Sequence, residues 1–114
     1  MATTRILIVD DELIIRESLG GWLERDGYSV SKAASGEEAL DMIRKIYFDI
    51  LLVDIKMGGM SGIELLKRVK ENDSDAAVIM ITAYGSISTS IEAMKLGAAD
   101  YLLKPFDPGE LGVL

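Results

Sequence analysis

The chain of 114 residues contains no cysteine and no histidine. Without them it can form neither a disulfide framework nor a Cys/His zinc site, and it has no imidazole for a Ser-His-Asp or Cys-His catalytic centre. Any chemistry must therefore use carboxylate, hydroxyl or amine groups. Basic residues are also scarce, because 12 Lys and Arg stand against 19 Asp and Glu. The resulting net charge of −7 repels a phosphate backbone, so direct nucleic-acid binding is not expected.

Long uncharged apolar runs are missing as well. The run at residues 76–81 is far shorter than the roughly 18 residues of a membrane span. Asp10 and Asp11 interrupt the N-terminal stretch before a signal sequence can form. We therefore expect a cytoplasmic protein without a membrane segment. Apolar residues make up 49% of the chain, and this content and length predict a single domain over residues 1–114.

Five short runs predict five β-strands. Four of them are continuously apolar and one alternates polar with apolar residues; they cover residues 6–9, 28–31, 50–53, 78–81 and 101–103. Each interval leaves room for one helix and two loops, which is typical of a parallel sheet. Continuous runs belong to strands buried on both faces, and the second and fifth runs have the character of edges. The sequence thus predicts a doubly wound α/β fold, strand order 2-1-3-4-5, with helices on both faces.

Helix boundaries are marked by capping residues and glycines. Capping boxes begin at Ser35 and Ser61, and Gly27 and Gly97 stand where helices should end. Apolar stripes predict the buried side of four helices: Ile15, Leu19, Trp22 and Leu23; Ala39, Leu40 and Ile43; Leu65, Leu66 and Val69; Ile87, Ile91 and Met94.

Two helical features depart from this regular pattern. Gly20 and Gly21 fall inside the first helix, where each costs roughly 1 kcal/mol relative to alanine, and the sequence offers no reason for them. A fifth helix is predicted to begin at Asp107, and the chain stops at Leu114. We expect a domain truncated within its last helix.

Polar residues follow four of the predicted strands. Asp10 and Asp11 follow the first, Asp54 the third, Thr82 the fourth and Lys104 the fifth. Strands one and three are neighbours in the predicted order, so three carboxylates should meet at the switch point of the sheet. Mutual repulsion of roughly 1 to 4 kcal/mol per pair at about 4 Å favours a bound cation, and oxygen ligands suit Mg²⁺. The alternative is structural: the aspartates cap helices and pair with Lys104.

A hydroxyl and an amine beside a metal-facing carboxylate indicate phosphoryl chemistry. Thr82, Lys104 and Mg²⁺ together could stabilise the negative charge on a phosphoryl group that is transferred to Asp54 as the nucleophile. From composition alone, the Lys104–Pro105 peptide bond is expected to be trans.

Four stretches resemble the receiver domain of two-component response regulators. They read ILIVDDE at residues 6–12, LVDIKM at 52–57, ITAYG at 81–85 and GAADYLLKPF at 97–106. The resemblance covers essentially the whole chain and implies the flavodoxin-like receiver fold. It also implies a phosphorylation-activated signalling switch, a phosphoprotein that is not a conventional enzyme but catalyses its own phosphoryl transfer and dephosphorylation.

The resemblance assigns a role to each matching position. It implies that a partner histidine kinase phosphorylates Asp54 and that Mg²⁺ is held by Asp10, Asp11, Asp54 and the backbone carbonyl of Lys56. By the same resemblance, Thr82 and Lys104 contact the phosphate, Thr82 and Tyr101 form the switch, and the Lys104–Pro105 bond is cis, which reverses the expectation from composition.

Two further features concern the subfamily and one loop. The stretches at residues 83–86 and 91–98 resemble receivers attached to AAA+ activators of the sigma-54 polymerase (NtrC-like). This implies a transcription regulator with ATPase and DNA-binding output domains beyond residue 114, and leaves a homodimer open. Family members often read MPGMDG where this chain reads MGGMSG at residues 57–62. Gly58 in place of proline gives the loop more backbone freedom and can lower metal affinity.

Two other functions compete with the signalling switch. A pseudo-receiver would bind proteins without phosphoryl chemistry, but it would need neither Asp54 nor Lys104. A phosphatase of the haloacid dehalogenase type would need a second acid two residues after the nucleophile, where this chain has Lys56.

Overall fold

The computed structural model describes residues 3–72, 75–82 and 87–103. Within these ranges strands and helices alternate along the chain. The elements are β1 (Arg5–Val9), α1 (Leu13–Arg25), β2 (Ser29–Ala33), α2 (Gly36–Lys45), β3 (Ile50–Asp54), α3 (Gly62–Glu71), β4 (Ala77–Thr82), α4 (Ile87–Lys95) and β5 (Asp100–Leu103). Each predicted strand is present, and β2 extends two residues further toward its C-terminus than the sequence pattern indicated.

The five strands form one sheet in the order β2-β1-β3-β4-β5, and every neighbouring pair is parallel. The predicted order and the doubly wound architecture are therefore confirmed. Because all strands run in the same direction, their carboxyl ends lie along one edge of the sheet. The order changes direction between β1 and β3, which pair directly through Val9 and Val53 at that edge.

Alternate strand residues feed two apolar cores, one on each face of the sheet. Leu7, Val9, Leu51, Val53, Val78 and Met80 pack with residues of α2, α3 and α4 in the first core. Ile6, Ile8, Leu52, Ile79 and Ile81 pack with Leu19 and Leu23 of α1 in the second. The central strands are thus buried on both sides, as their continuous apolar runs predicted.

The predicted helix ends are formed by the expected residues. The side chain of Ser35 accepts a hydrogen bond from the Glu38 amide, and Ser61 accepts one from the Glu64 amide, so both capping residues satisfy an amide of the first turn. Gly27 and Gly97 have φ values of 94° and 102°, a conformation that favours glycine after a helix.

Two predictions about buried stripes are wrong. In α4, Ile91 and Met94 are each 49% exposed, and among the helix residues whose burial is described the fully buried one is Ala93. The helix turns this small side chain toward the sheet, so the large apolar residues lie on its outer surface. In α1, Leu19 and Leu23 are buried but Trp22 is 47% exposed. Leu19 and Leu23 are four residues apart and lie on the same face of the helix, whereas Trp22 lies at the edge of that face.

The two glycines of α1 differ in their surroundings. A methyl group at Gly20 would lie 2.6 Å from Cε of Lys32, so an alanine there would displace the flexible end of this lysine side chain. A methyl group at Gly21 would meet nothing within 4 Å, and the structure gives no reason for glycine there.

Several predictions fall outside the described residues. They are the 83–85 loop, the Lys104–Pro105 peptide bond and the helix predicted to begin at Asp107. Among the residues that are described, no helix has the length and apolar character needed to cross a membrane.

Candidate acidic site at the carboxyl edge of the sheet

The polar residues predicted to meet do reach the same edge of the sheet. Asp10 follows β1 directly, Asp54 is the last residue of β3 and Thr82 is the last residue of β4. Asp54 pairs with Ile81, the residue before Thr82. All three side chains are buried, with 2%, 4% and 1% of their surface exposed. The parallel register thus places two buried carboxylates at the switch point and a buried hydroxyl at the end of the neighbouring strand β4.

Four carboxylates converge there. Asp10, Asp11, Glu12 and Asp54 each offer an oxygen, and these oxygens all lie within 4.8 Å of one another. Asp10 and Asp54 are buried, whereas Asp11 and Glu12 are exposed. At such separations each pair of negative charges repels by roughly 1 to 4 kcal/mol. The cluster therefore carries an electrostatic cost that a cation would relieve.

Backbone amides hold three of these carboxylates. Oδ1 of Asp10 accepts a hydrogen bond of 2.9 Å from the amide of Glu12. Oδ1 of Asp54 accepts one of 3.3 Å from the amide of Lys56, and Oδ2 of Asp11 accepts one of 3.2 Å from the amide of Gly58. The loop after β3 thus contacts two of the acidic residues through its main chain.

A guanidinium group supports the turn after β1. Nη1 of Arg16 donates a hydrogen bond of 2.7 Å to the backbone carbonyl of Asp10. Because Arg16 contacts the backbone carbonyl, this hydrogen bond does not draw the carboxylate of Asp10 away from the acidic cluster.

The start of α3 packs directly against the backbone of Asp54. The Gly62 amide donates a 2.8 Å hydrogen bond to the Ile55 carbonyl. A methyl group at Gly62 would lie 2.7 Å from Cα of Ile55 and closer still to the carbonyl oxygen of Asp54. Glycine at this position therefore permits the helix to approach the acidic site.

The donor set suits a hard divalent cation. It consists of carboxylate oxygens, and Mg²⁺ typically takes one or two carboxylates together with waters and a phosphate oxygen. The burial of Asp10 and Asp54 beside exposed Asp11 and Glu12 leaves one side of the cluster open to solvent. The residues present thus fit a bound divalent cation.

The remaining predicted site residues lie close to this edge or outside the described ranges. Lys56 contributes its amide to Asp54, and its predicted role as a carbonyl ligand stays a prediction. Tyr101 lies in β5 opposite Met80, and its hydroxyl is 3.0 Å from Oγ1 of Thr89 in α4. Lys104 and Pro105 fall in the part of the chain that is not described.

Three contributors were not predicted from the sequence. Glu12 adds a fourth carboxylate, and its position next to the aspartate pair was a usable signal. The contacts from Arg16 and from the Gly58 amide depend on the path of a turn and a loop. No residue type or spacing indicates such contacts in advance.

Comparison with known proteins settles the family. The sequence matches the model of the response regulator receiver domain over residues 6–113. The chain belongs to this family. The receiver fold and the predicted resemblance are thereby confirmed. The acidic cluster contains Asp10, Asp11 and Asp54, which are three of the four predicted metal ligands.

Related receiver domains are found alone and in longer regulators. Transcriptional regulatory protein ZraR of Escherichia coli strain K12 is 43% identical over 106 residues, covering 90% of this chain and 23% of ZraR. Sporulation initiation phosphotransferase F of Bacillus subtilis is 43% identical over 111 residues, covering 97% of this chain and 90% of that protein. A CheY-like receiver domain structure from Methanospirillum hungatei has a TM-score of 0.94 and 38% identity, covering 98% and 90% of the two chains. The chain thus spans less than a quarter of the length of ZraR.

Proposed function

We propose that this receiver domain is a phosphorylation-activated switch in which Asp54 accepts a phosphoryl group from a histidine kinase. The observation that carries the proposal is the burial of Asp54 inside a cluster of four carboxylates. A buried carboxylate beside like charges needs a compensating positive charge, which a bound cation would supply. Perturbed carboxylates of this kind are typical of functional sites, and a phosphoryl-accepting site is one that uses such a cation.

The transfer step uses one oxygen of Asp54 as the nucleophile. That oxygen forms a bond to phosphorus while the phosphorus–nitrogen bond of the kinase phosphohistidine breaks, so an acyl phosphate forms and the imidazole leaves with the electron pair. Oδ1 of Asp54 already accepts a hydrogen bond from the amide of Lys56. This contact orients the carboxylate of Asp54 at the end of β3.

Mg²⁺ is the cofactor that fits the site. When bound by Asp10, Asp11, Asp54 and the Lys56 carbonyl, it would neutralise charge on the oxygens of the incoming phosphoryl group. Thr82, buried at the end of β4, lies on the neighbouring strand and is assigned to one of these oxygens. Lys104 is assigned to another oxygen on the strength of its place after β5.

The signal would leave the domain through α4 and β5. Movement of Thr82 toward the phosphate would act on the following loop and on α4, whose Thr89 contacts Tyr101 in β5. The outer surface of these elements exposes Ile91, Met94 and Leu103. Solvent-exposed apolar side chains on a moving element are suited to contact an output domain or a second receiver.

The relatives support a role in transcriptional regulation. ZraR is a transcriptional regulatory protein, and this chain matches 23% of its length. We infer that the receiver domain acts in the cytoplasm within a transcription regulator of the sigma-54-dependent, NtrC-like type. AAA+ ATPase and DNA-binding domains would then supply the output, and the receiver itself would not contact nucleic acid.

Phosphorylation with a small phosphodonor tests the proposal. Intact-mass measurement in the presence of Mg²⁺ should show one added phosphoryl group on the wild type and none on Asp54→Asn. Asp41→Asn is a matched control, because Asp41 lies on α2 with 71% of its side chain exposed and should leave labelling intact.

Two outcomes would contradict the proposal. Equal labelling of the wild type and Asp54→Asn would show that another residue accepts the phosphoryl group. A wild type that stays unlabelled, with a donor that labels a known receiver domain under the same conditions, would favour the pseudo-receiver alternative.

A further inference from the structure

The loop between β3 and α3 contacts the acidic site through one exposed carboxylate. The amide of Gly58 donates a 3.2 Å hydrogen bond to Oδ2 of Asp11, a residue 47 positions earlier in the chain. Asp11 itself belongs to the cluster whose oxygens lie within 4.8 Å of one another. One main-chain N–H thus joins the loop after β3 to the turn after β1.

Asp11 needs such a contact to remain in the cluster. Asp11 is exposed, so packing does not hold its side chain, and three neighbouring carboxylates repel it. The Gly58 amide places the positive end of a peptide dipole at Oδ2. A carboxylate has two oxygens with about four lone-pair positions, so Asp11 can keep this hydrogen bond and still offer an oxygen to a cation.

We propose that the backbone amide of Gly58 is a positioning group for the divalent cation site, because it holds the carboxylate of Asp11 in the orientation that binds the ion. The inference rests on the proposed function, which places Mg²⁺ at this cluster. It opposes the expectation that Gly58 lowers metal affinity through backbone freedom. Proline at this position would have no N–H and could not make the contact.

Residue 58 allows a matched pair of substitutions. Alanine retains the N–H, and its Cβ would meet nothing within 4 Å. Positive φ values occur at Gly27, Gly59 and Gly97 among the described glycines but not at Gly58, so an alanine is not strained there. Gly58→Ala therefore keeps the donor, whereas Gly58→Pro removes it and also restricts the backbone at residues 57 and 58. The Asp11→Ala background separates these two effects of proline.

The experiment measures the Mg²⁺ dissociation constant by backbone NMR titration of the wild type, Gly58→Ala and Gly58→Pro. We expect Gly58→Ala to stay within about two-fold of the wild type and Gly58→Pro to bind about five-fold more weakly, the effect of losing one hydrogen bond. The same pair is then compared in the Asp11→Ala background. There the two variants should bind alike, because the amide acts through Asp11.

Each failure has a distinct pattern. Equal affinities of Gly58→Ala and Gly58→Pro in the wild-type background would overturn the positioning role alone. So would a loss in Gly58→Pro that persists unchanged in the Asp11→Ala background, since it would reflect loop geometry. A wild type with no saturable response to Mg²⁺ would refute the proposed cofactor site and, with it, the positioning role.

Hydrogen exchange of the Gly58 amide gives a second test that needs no proline variant. Exchange should be slower in the wild type than in Asp11→Ala, and the protection should persist when Mg²⁺ is bound. An exchange rate that Asp11→Ala leaves unchanged would overturn the proposal. Loss of protection on Mg²⁺ binding would overturn it too, because the amide would then compete with the ion for Asp11.

Discussion

Substitution of Gly62 by alanine should damage the domain far more than a single added methyl group normally does. Gly62 is the first residue of α3, directly after the capping residue Ser61. Its missing side chain faces the backbone of Asp54 and Ile55, and a methyl carbon would lie 2.7 Å from Cα of Ile55. These neighbours are main-chain atoms of β3 and the residue after it, so they cannot rotate away as a side chain could.

The size of the effect follows from this rigidity. Overpacking a well-packed region typically costs about 1 to 3 kcal/mol. The clash at Gly62 is with backbone atoms that cannot move aside easily, so we expect a cost of about 3 kcal/mol, at the upper end of this range. Domains of this size are stable by about 5 to 15 kcal/mol. Gly62→Ala should therefore remove at least about a fifth of the free energy of unfolding. Since the displaced backbone includes the carbonyl of Asp54, phosphodonor labelling should also slow.

Gly21 provides the matched control. It lies inside α1, and a methyl group there would meet nothing within 4 Å. Gly21→Ala should gain about 1 kcal/mol through helix propensity, so the same chemical change should act in opposite directions at the two positions. Urea unfolding followed by circular dichroism measures both values. A Gly62→Ala variant within about 0.5 kcal/mol of the wild type would refute the packing argument.

Two further predictions concern the cation and the switch. Added Mg²⁺ should raise the thermal midpoint by mass action, with a stabilisation of about 2.7 kcal/mol at 100 times its dissociation constant, and Asp11→Ala should need more Mg²⁺ for the same shift. A midpoint indifferent to millimolar Mg²⁺ would contradict the site. A phosphoryl mimic at Asp54 should change the NMR signals most over residues 82–106, including Thr89 and Tyr101, through a shift in population. Changes limited to the immediate neighbours of Asp54 would exclude the proposed relay.

The sheet was predictable because its signals are local and strong. Continuous apolar runs such as that of β3 reflect burial on both faces, and the spacing of the runs leaves only parallel connections. The helix starts at Ser35 and Ser61 were predictable for the same reason, since a capping side chain contacts an amide three residues away. Both kinds of signal are complete within a short stretch of sequence.

The rotation of α4 was not predictable from its apolar residues. Ile91 and Met94 suggested a buried stripe, yet Ala93 packs against the sheet and the two large residues remain about half exposed. A stripe of large apolar residues predicts burial only where space exists for them. Which residues of α4 face the sheet is set by the packing of the whole fold, and among its described residues the buried position is occupied by Ala93.

The acidic site likewise has features that were predictable from the sequence and features that were not. Asp10, Asp11 and Asp54 were predictable as neighbours, because the strand order places the ends of β1 and β3 side by side. The Gly58 contact with Asp11 was not, because the path of a glycine-rich loop depends on tertiary contacts. The closeness of Gly20 to the end of the Lys32 side chain was likewise not predictable, because it joins α1 to β2.

The pairing of β1 with β3 has a consequence for the order of folding. The chain pairs β2 with β1 and completes α2 before β3 joins the other side of β1, so the Ile6–Ile50 ladder closes a loop that spans α1, β2 and α2. Closing such a loop costs chain entropy before any contact repays it, and sheets of this kind form slowly. Asp10 and Asp54 become neighbours only when that ladder is complete. A partly folded chain would therefore lack the complete acidic cluster. Cation binding would then report the pairing of β1 with β3 in the central sheet rather than the formation of any single helix.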